Sequence, residues 1–167
     1  WWAWRPGGVG EWNGPAAYGC QSVGPGAADV GSSLTLGRAE HGARIRGERE
    51  EIGQVLQNLI QKAIKYGREG GHVAVSVGRE GPRGAPGKVW VRVTDDGPGI
   101  APVHLPRLTE RFYRVNVASS REKGGTGLGL AIVKHILNRH RGELKIASKL
   151  GAGSTFTVRF DELGGAH

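Results

Sequence analysis

The sequence predicts an α+β domain built as a two-layer α/β sandwich, in which a mixed, mostly antiparallel sheet is covered on one face by about three helices. Two pairs of segments alternate apolar and polar residues and are joined by glycine-containing turns, the signature of antiparallel hairpins. Two further stretches carry apolar residues at three- and four-residue spacings, the period of a helix with one buried face. A proline-bounded turn at Ala101 to Pro106, leading into a short helical piece, brings the helices to about three. With 167 residues, 38% of them hydrophobic, the chain has material for one ordinary domain with a real core.

The elements follow in order. Residues 1–30 hold four tryptophans among glycines and prolines, without helical or alternating period, and read as mostly irregular. They are expected to dock as a tail on the domain itself; partner binding or nucleic-acid stacking is the alternative. The domain proper is expected over 31–161, with 162–167 as a tail. SSLTL and ARI read as short strands, and EREEIGQVLQNLIQKAIKYG as an amphipathic helix. Its Glu50 and Glu51 stand where the helix dipole favours anions, and Gly67 is the expected stop. HVAVSV and KVWVRVT form an antiparallel pair across the loop REGPRGAPG. TGLGLAIVKHILNRHRG starts on glycines and continues as a second amphipathic helix; ELKIAS and STFTVRF close the chain as a hairpin turned by KLGAG.

A formal charge of +8 suits an acidic partner, but the basic residues are scattered, so charge alone selects none. The single cysteine, Cys20, forbids an internal disulfide and a cysteine-based zinc cluster, and fits a reducing compartment, so a cytoplasmic location is expected. No run approaches the roughly 20 apolar residues that span a bilayer. Lacking an initiating methionine, the chain is expected to be a piece of a longer protein, one whose membrane anchor, if it has one, lies elsewhere.

Chemistry concentrates in four places. Asp95 ends an apolar strand and enters Asp95-Asp96-Gly97-Pro98-Gly99-Ile100, whose glycines permit a tight turn that aims the Asp95 carboxylate into a pocket. A buried acceptor of that kind takes a hydrogen bond from an exocyclic amine; Asp96 is expected to be its solvated neighbour. Asn58, Lys62, Lys65 and Tyr66 share one side, or its edge, of the first helix. Gly125-Thr126-Gly127-Leu128-Gly129-Leu130 sets bare backbone amides at a helix start, where dipole and N–H groups favour phosphate. It is neither a dinucleotide fingerprint, since Leu130 stands where the last glycine belongs, nor a Walker A loop, since no Gly-Lys-Ser/Thr follows. Arg111-Phe112-Tyr113-Arg114 precedes the polar run Asn116 to Gly124.

In this order the four elements closely resemble the N box, first glycine box, F box and second glycine box of the ATP-binding catalytic domain of sensor histidine kinases, a Bergerat-type fold, and of phosphate-regulon-type kinases in particular. The resemblance runs from about Ser32 to Phe160. It implies that ATP or ADP binds, with Asp95 at adenine, Tyr66 beside adenine or ribose, and Gly97, Gly99 and Ile100 in the same wall. It also implies that Lys65, Arg121, Lys123 and the run Gly125 to Leu130 serve the phosphates, and that Asn58 supports the Mg2+ and triphosphate region. Asn116 to Gly124 becomes the ATP lid, anchored by Phe112. The implied partners are a histidine on a separate dimerisation domain and, through it, a response regulator; membrane contact by this segment and nucleic-acid binding are not expected.

Two features depart from the family pattern. Where N-L-x-x-N-A-x-K-Y is usual, this chain reads Asn58-Leu59-Ile60-Gln61-Lys62-Ala63-Ile64-Lys65-Tyr66, so Lys62 replaces the usual magnesium ligand. An ammonium has only N–H donors and cannot ligate a hard cation, which is expected to impair phosphoryl transfer while leaving nucleotide binding. None of His41, His72, His104, His135, His140 and His167 stands in an H-E-x-R-x-P-like context, so autophosphorylation needs another segment. The alternatives are a non-catalytic nucleotide-binding or basic scaffold or nucleic-acid-binding module on the same fold, and a serine kinase of that fold.

Overall fold

The computed structural model of the chain describes residues 4–5, 9–11, 33–36, 44–46, 49–66, 71–82, 87–111 and 129–162. Among them run strands β1 (Trp4–Arg5), β2 (Val9–Glu11), β3 (Ser33–Leu36) and β4 (Arg44–Arg46), then helix α1 (Arg49–Tyr66). Strands β5 (His72–Glu80) and β6 (Lys88–Asp95), a 3-10 helix (Pro102–Arg107), helix α2 (Gly129–Arg139) and the hairpin β7 (Glu143–Lys149) and β8 (Gly153–Asp161) follow.

Alternation fixes the main sheet. Val73, Val75 and Val77 of β5, Val89, Val91 and Val93 of β6, and Phe156, Val158 and Phe160 of β8 are all buried, and their neighbours point the other way. β5 and β6 pair antiparallel from Val73–Asp95 to Glu80–Lys88, and β6 and β8 from Asp95–Ser154 to Lys88–Asp161. β7 pairs antiparallel with β8 as the edge, and β3 joins β5 in parallel, giving the order β3-β5-β6-β8-β7. The exposed residues Glu143, Lys145 and Lys149 of β7 charge that edge, which discourages pairing with another chain.

The helices lie on the valine and phenylalanine face. Ile52, Val55, Leu56, Leu59, Ile60 and Ala63 of α1 join Leu130, Val133, Ile136 and Leu137 of α2 in one buried cluster with the strands. The two helices pack antiparallel: Glu51, near the start of α1, pairs with Arg139 at the end of α2, whereas Asn58 bonds Gly129 at its start. His140, just past α2, sits 3.8 Å from the same Glu51 carboxylate.

Three local readings shift. The short strands β1 and β2 fall inside the segment read as mostly irregular; β1 pairs antiparallel with β2, and β2 with β4, in a separate small sheet. Strands of two and three residues are too short to show a period. The helical piece expected after the proline turn occupies the turn itself, because Pro102 presets the helical φ at the start and the tighter 3-10 winding tolerates Pro106 inside. Glu162, assigned to the tail, is tied to the sheet end: its carboxylate takes Arg79 Nε at 2.7 Å and the Gly87 N–H at 3.0 Å. Gly67 lies outside the described residues.

Leu59 is 0% exposed. Replacing it by alanine is expected to lower unfolding stability by about 2–5 kcal/mol through lost transfer energy and a residual cavity. Ile132→Ala, at a position 42% exposed, is expected to change stability by no more than about 0.5 kcal/mol. Urea titration followed by circular dichroism reads both, and equal effects would contradict this assignment of the core.

Candidate functional site

Asp95 closes β6 with its side chain on the inner face, 2% exposed. Its Oδ1 accepts the Gly97 N–H at 2.9 Å, which folds the chain back sharply beyond the strand. Asp96 is not merely a solvated neighbour, since its Oδ1 accepts the His72 N–H at 2.9 Å. The β5–β6 pairing stops at Val73–Asp95, so the next amide along β5 has no ladder carbonyl and a side chain serves in its place.

The turn after Asp95 meshes with the β7–β8 turn. Gly99 has φ +78°, and a Cβ there would stand 2.3 Å from the Lys149 carbonyl oxygen; Gly153 has φ +110°, and its Cβ would stand 2.0 Å from the Asp95 carbonyl oxygen. Only glycine permits both approaches. Gly151 N–H donates to the Pro98 carbonyl at 2.8 Å, and the N–H of buried Ile100 donates to Ser148 Oγ at 2.7 Å. Ser148 Oγ also lies 3.0 Å from the Gly153 carbonyl oxygen and 2.8 Å from Ser154 Oγ. Ser148, Ser154 and the docked turn were not singled out in the sequence. The signal existed in STFTVRF, but only pairing β8 with β6 puts Ser154 opposite Asp95.

The second group gathers where α1 crosses the start of α2. Asn58, 7% exposed, accepts Gln54 Nε2 on its Oδ1 at 2.6 Å and donates its Nδ2 to the Gly129 carbonyl at 3.2 Å. Lys62, one turn on, lies along the same helix start: a Cβ on Gly129 would be 3.5 Å from Lys62 Cε. Leu130 is 2% exposed and belongs to the core, so backbone is what it offers a ligand. The structure thus brings Asn58, Lys62 and Gly129 together, and Asp95, Gly97, Gly99 and Ile100 together. The backbone of Lys65 and Tyr66 forms the last turn of α1; their side chains lie outside the described part. Phe112, Arg121, Lys123, Gly125, Thr126, Gly127 and Leu128, with the rest of the expected lid, also lie outside it.

This donor set does not suit a divalent cation. A hard cation wants several oxygen ligands, yet the Asn58 oxygen already receives the Gln54 amide and the residue one turn away is a lysine. Among the described residues no group of three or more His, Cys, Asp or Glu side chains converges as a metal site. Buried polar or charged side chains among these residues are Asn58, Asp95 and Ser154, each in one of the two groups. Burying such groups costs stability unless they are bonded, and their confinement to these two places marks them as the candidate site.

Known proteins share this fold. The sequence profile of the histidine kinase-, DNA gyrase B- and HSP90-like ATPases matches residues 47–164. The chain is 45% identical over 117 residues to the phosphate regulon sensor protein PhoR of Pseudomonas aeruginosa, covering 70% of this chain and 25% of that protein. It therefore spans about a quarter of the length of that relative. A mycobacterial sensor histidine kinase, MprB, superposes with a TM-score of 0.75 at 24% identity, over 94% of this chain and 98% of that one. Full-length ShkA, solved in complex with AMPPNP, superposes with a TM-score of 0.76 at 25% identity, over 99% of this chain and 33% of that one. The two-layer α/β sandwich is that of histidine kinase catalytic domains, and the chain belongs to the histidine kinase-, DNA gyrase B- and HSP90-like ATPase family.

Proposed function

We propose that the chain is the ATP-binding catalytic domain of a two-component sensor histidine kinase. In the parent protein it hands the γ-phosphate of ATP to a histidine on a separate dimerisation domain, from which a response-regulator aspartate receives it. The observation that carries this reading is Asp95, a carboxylate 2% exposed at the end of a central strand, its turn set by the Gly97 amide. Burying a carboxylate costs stability, and a donor brought by a ligand would offset part of that cost. Adenine brings one in its exocyclic amine. ShkA, whose structure holds an ATP analogue, supports the same class of ligand.

On this reading Gly97, Gly99 and Ile100 wall the base, and Tyr66 lies beside adenine or ribose. Lys65, Arg121 and Lys123 meet phosphates, and the amides from Gly125 to Leu130 cradle them at the positive end of α2. The domain extends over about 31–161, working on the cytoplasmic side of its parent; among the described residues no helix is long and apolar enough to cross a membrane.

Lys62 separates binding from turnover. In this family Mg2+ spreads the charge of the transferred phosphoryl group. The Lys62 stem runs beside Gly129, which supports a role for its ammonium as a flexible point charge toward phosphate. It binds the triphosphate without the ligand geometry that transfer needs, so autokinase activity is weak.

Three titrations of the chain follow. Asp95→Asn is expected to weaken ADP binding roughly tenfold by calorimetry, because a charge-assisted bond to the base is lost; unchanged affinity would remove Asp95 from the base. Wild-type affinity for ADP is expected to be nearly the same in magnesium and in EDTA. Lys62→Asn is expected to bind about tenfold more tightly with magnesium than with EDTA; no such dependence would sink the account of Lys62. Under the scaffold reading, ADP gives no thermal shift at all.

A further inference from the structure

The main sheet has a second face. Alternation turns Val91 and Val93 of β6 and Phe156 and Val158 of β8 toward the helices, so Trp90, Arg92 and Thr94, with Thr155 and Thr157, stand on the opposite side. The register sets these residues in rows: Arg92, Thr157 and Lys145 in one, and Thr94, Thr155 and Ala147 in the next. Along β8 the rows make a trough. Its floor is the short side chains of Thr155 and Thr157; exposed Arg92 flanks it on β6, and exposed Lys145 and Lys149 flank it on β7.

The place of Arg92 is set by its neighbours. Gly78 stands across the ladder from Trp90, and a Cβ there would come within 2.3 Å of the indole Cζ2, so glycine is what lets the ring lie over β5. The Arg92 guanidinium sits over that ring, 4.7 Å from its centroid, which restrains the side chain and leaves its N–H edges for an anion. Farther along the face the cations are matched, Arg159 by Glu80 and Lys88 by Asp161, each at 3.0 Å. Among the described residues no carboxylate lies within ion-pair distance of Arg92, Lys145 or Lys149.

We propose that this trough docks an acidic helix of a partner protein. β6 and β7 are two strand spacings apart, roughly 10 Å, and a helix with its side chains is about 10–12 Å across. Laid along β8, such a helix meets small side chains beneath it and cations on both flanks. Lys145 and Lys149 are separated by about 13 Å of strand; carboxylates two helical turns apart, about 11 Å, reach both through the flexible lysine stems. A nucleic-acid strand fits less well, because the Trp90 ring is already stacked by Arg92 and exposed Glu80, Glu143 and Asp161 close the far end with negative charge. Exposed ion pairs are individually weak, so docking is weak and sensitive to salt. The trough lies on the face away from buried Asp95 and Asn58, so it stands independently of the nucleotide reading.

The test uses the 167-residue chain and a fluorescent alanine–glutamate peptide of about 16 residues, long enough to be helical, at low ionic strength. Anisotropy reads affinity. A carbodiimide, which takes up the water released, then joins bound carboxylates to neighbouring lysine amines as amides, and peptide mapping locates them. Cross-links are expected on Lys145 and Lys149 and not on Lys134, which is also exposed but lies on α2. Arg92→Glu and Lys145→Glu are each expected to weaken binding about fivefold or more, and Lys134→Glu by no more than about twofold. Arg92→Lys keeps the charge but loses the planar stack, and is expected to weaken binding about threefold. Cross-links spread evenly over exposed lysines, or equal losses in Lys134→Glu and Lys145→Glu, overturn the proposal. Tighter binding of a labelled oligothymidine that depends on Arg92 overturns it in favour of nucleic acid. Should Arg92→Glu fail to fold by circular dichroism, Lys145→Glu decides: weakened binding supports the trough and unchanged binding overturns it.

Discussion

Asp95 faces Ser154 across the β6–β8 ladder, and sliding that ladder by one residue would turn one strand's inner face outward. Val89, Val91 and Val93 would then lose Phe156, Val158 and Phe160 as neighbours on the same face, and no turn elsewhere compensates for exposing a core of that size. The register is therefore held by the apolar residues, while its last pair is polar. The core thus places the carboxylate and the hydroxyl without either contributing to the choice. The same register brings the β7–β8 turn onto the Asp95 turn, where Gly99 and Gly153 allow backbone to pass within a side chain's width of backbone.

A second placement depends on the helices. Glu51 with Arg139 at one end and Asn58 with Gly129 at the other fix how α1 lies along α2. Both ends of the Asn58 amide are used in this joint, the oxygen by Gln54 and the nitrogen by Gly129. Asn58 thereby holds the start of α2 in place. Lys62 lies against the same helix start. A cation near the positive end of a helix is adverse to the dipole.

Much of this was legible in the sequence because it is periodic. The alternation in HVAVSV, KVWVRVT and STFTVRF and the three- and four-residue spacing from Ile52 to Ile64 report burial directly, since a strand or helix repeats its environment. Asp95 was legible because glycines follow an apolar strand. What escaped has no period. The pairing of β2 with β4 joins residues far apart in the chain, and nothing local announces the parallel partnership of β3 with β5. Asp96 on the His72 amide and Glu162 on Arg79 and Gly87 are side chains filling gaps that the ladders leave. Such gaps exist only once the strands are registered. Ser148 was hidden for the same reason: its three partners come from two turns whose contact is tertiary.

The buried polar side chains show what the fold gives up at its site. An apolar residue at position 58, 95 or 154 would join the surrounding core without the desolvation that Asn58, Asp95 and Ser154 undergo. Each recovers part of that cost from bonds within the chain: Asn58 from Gln54 and Gly129, Asp95 from Gly97, and Ser154 from Ser148. These bonds are short-range and directional, so they also fix which atoms still point outward. Asp95 and Ser154 are therefore held by partners from within the chain.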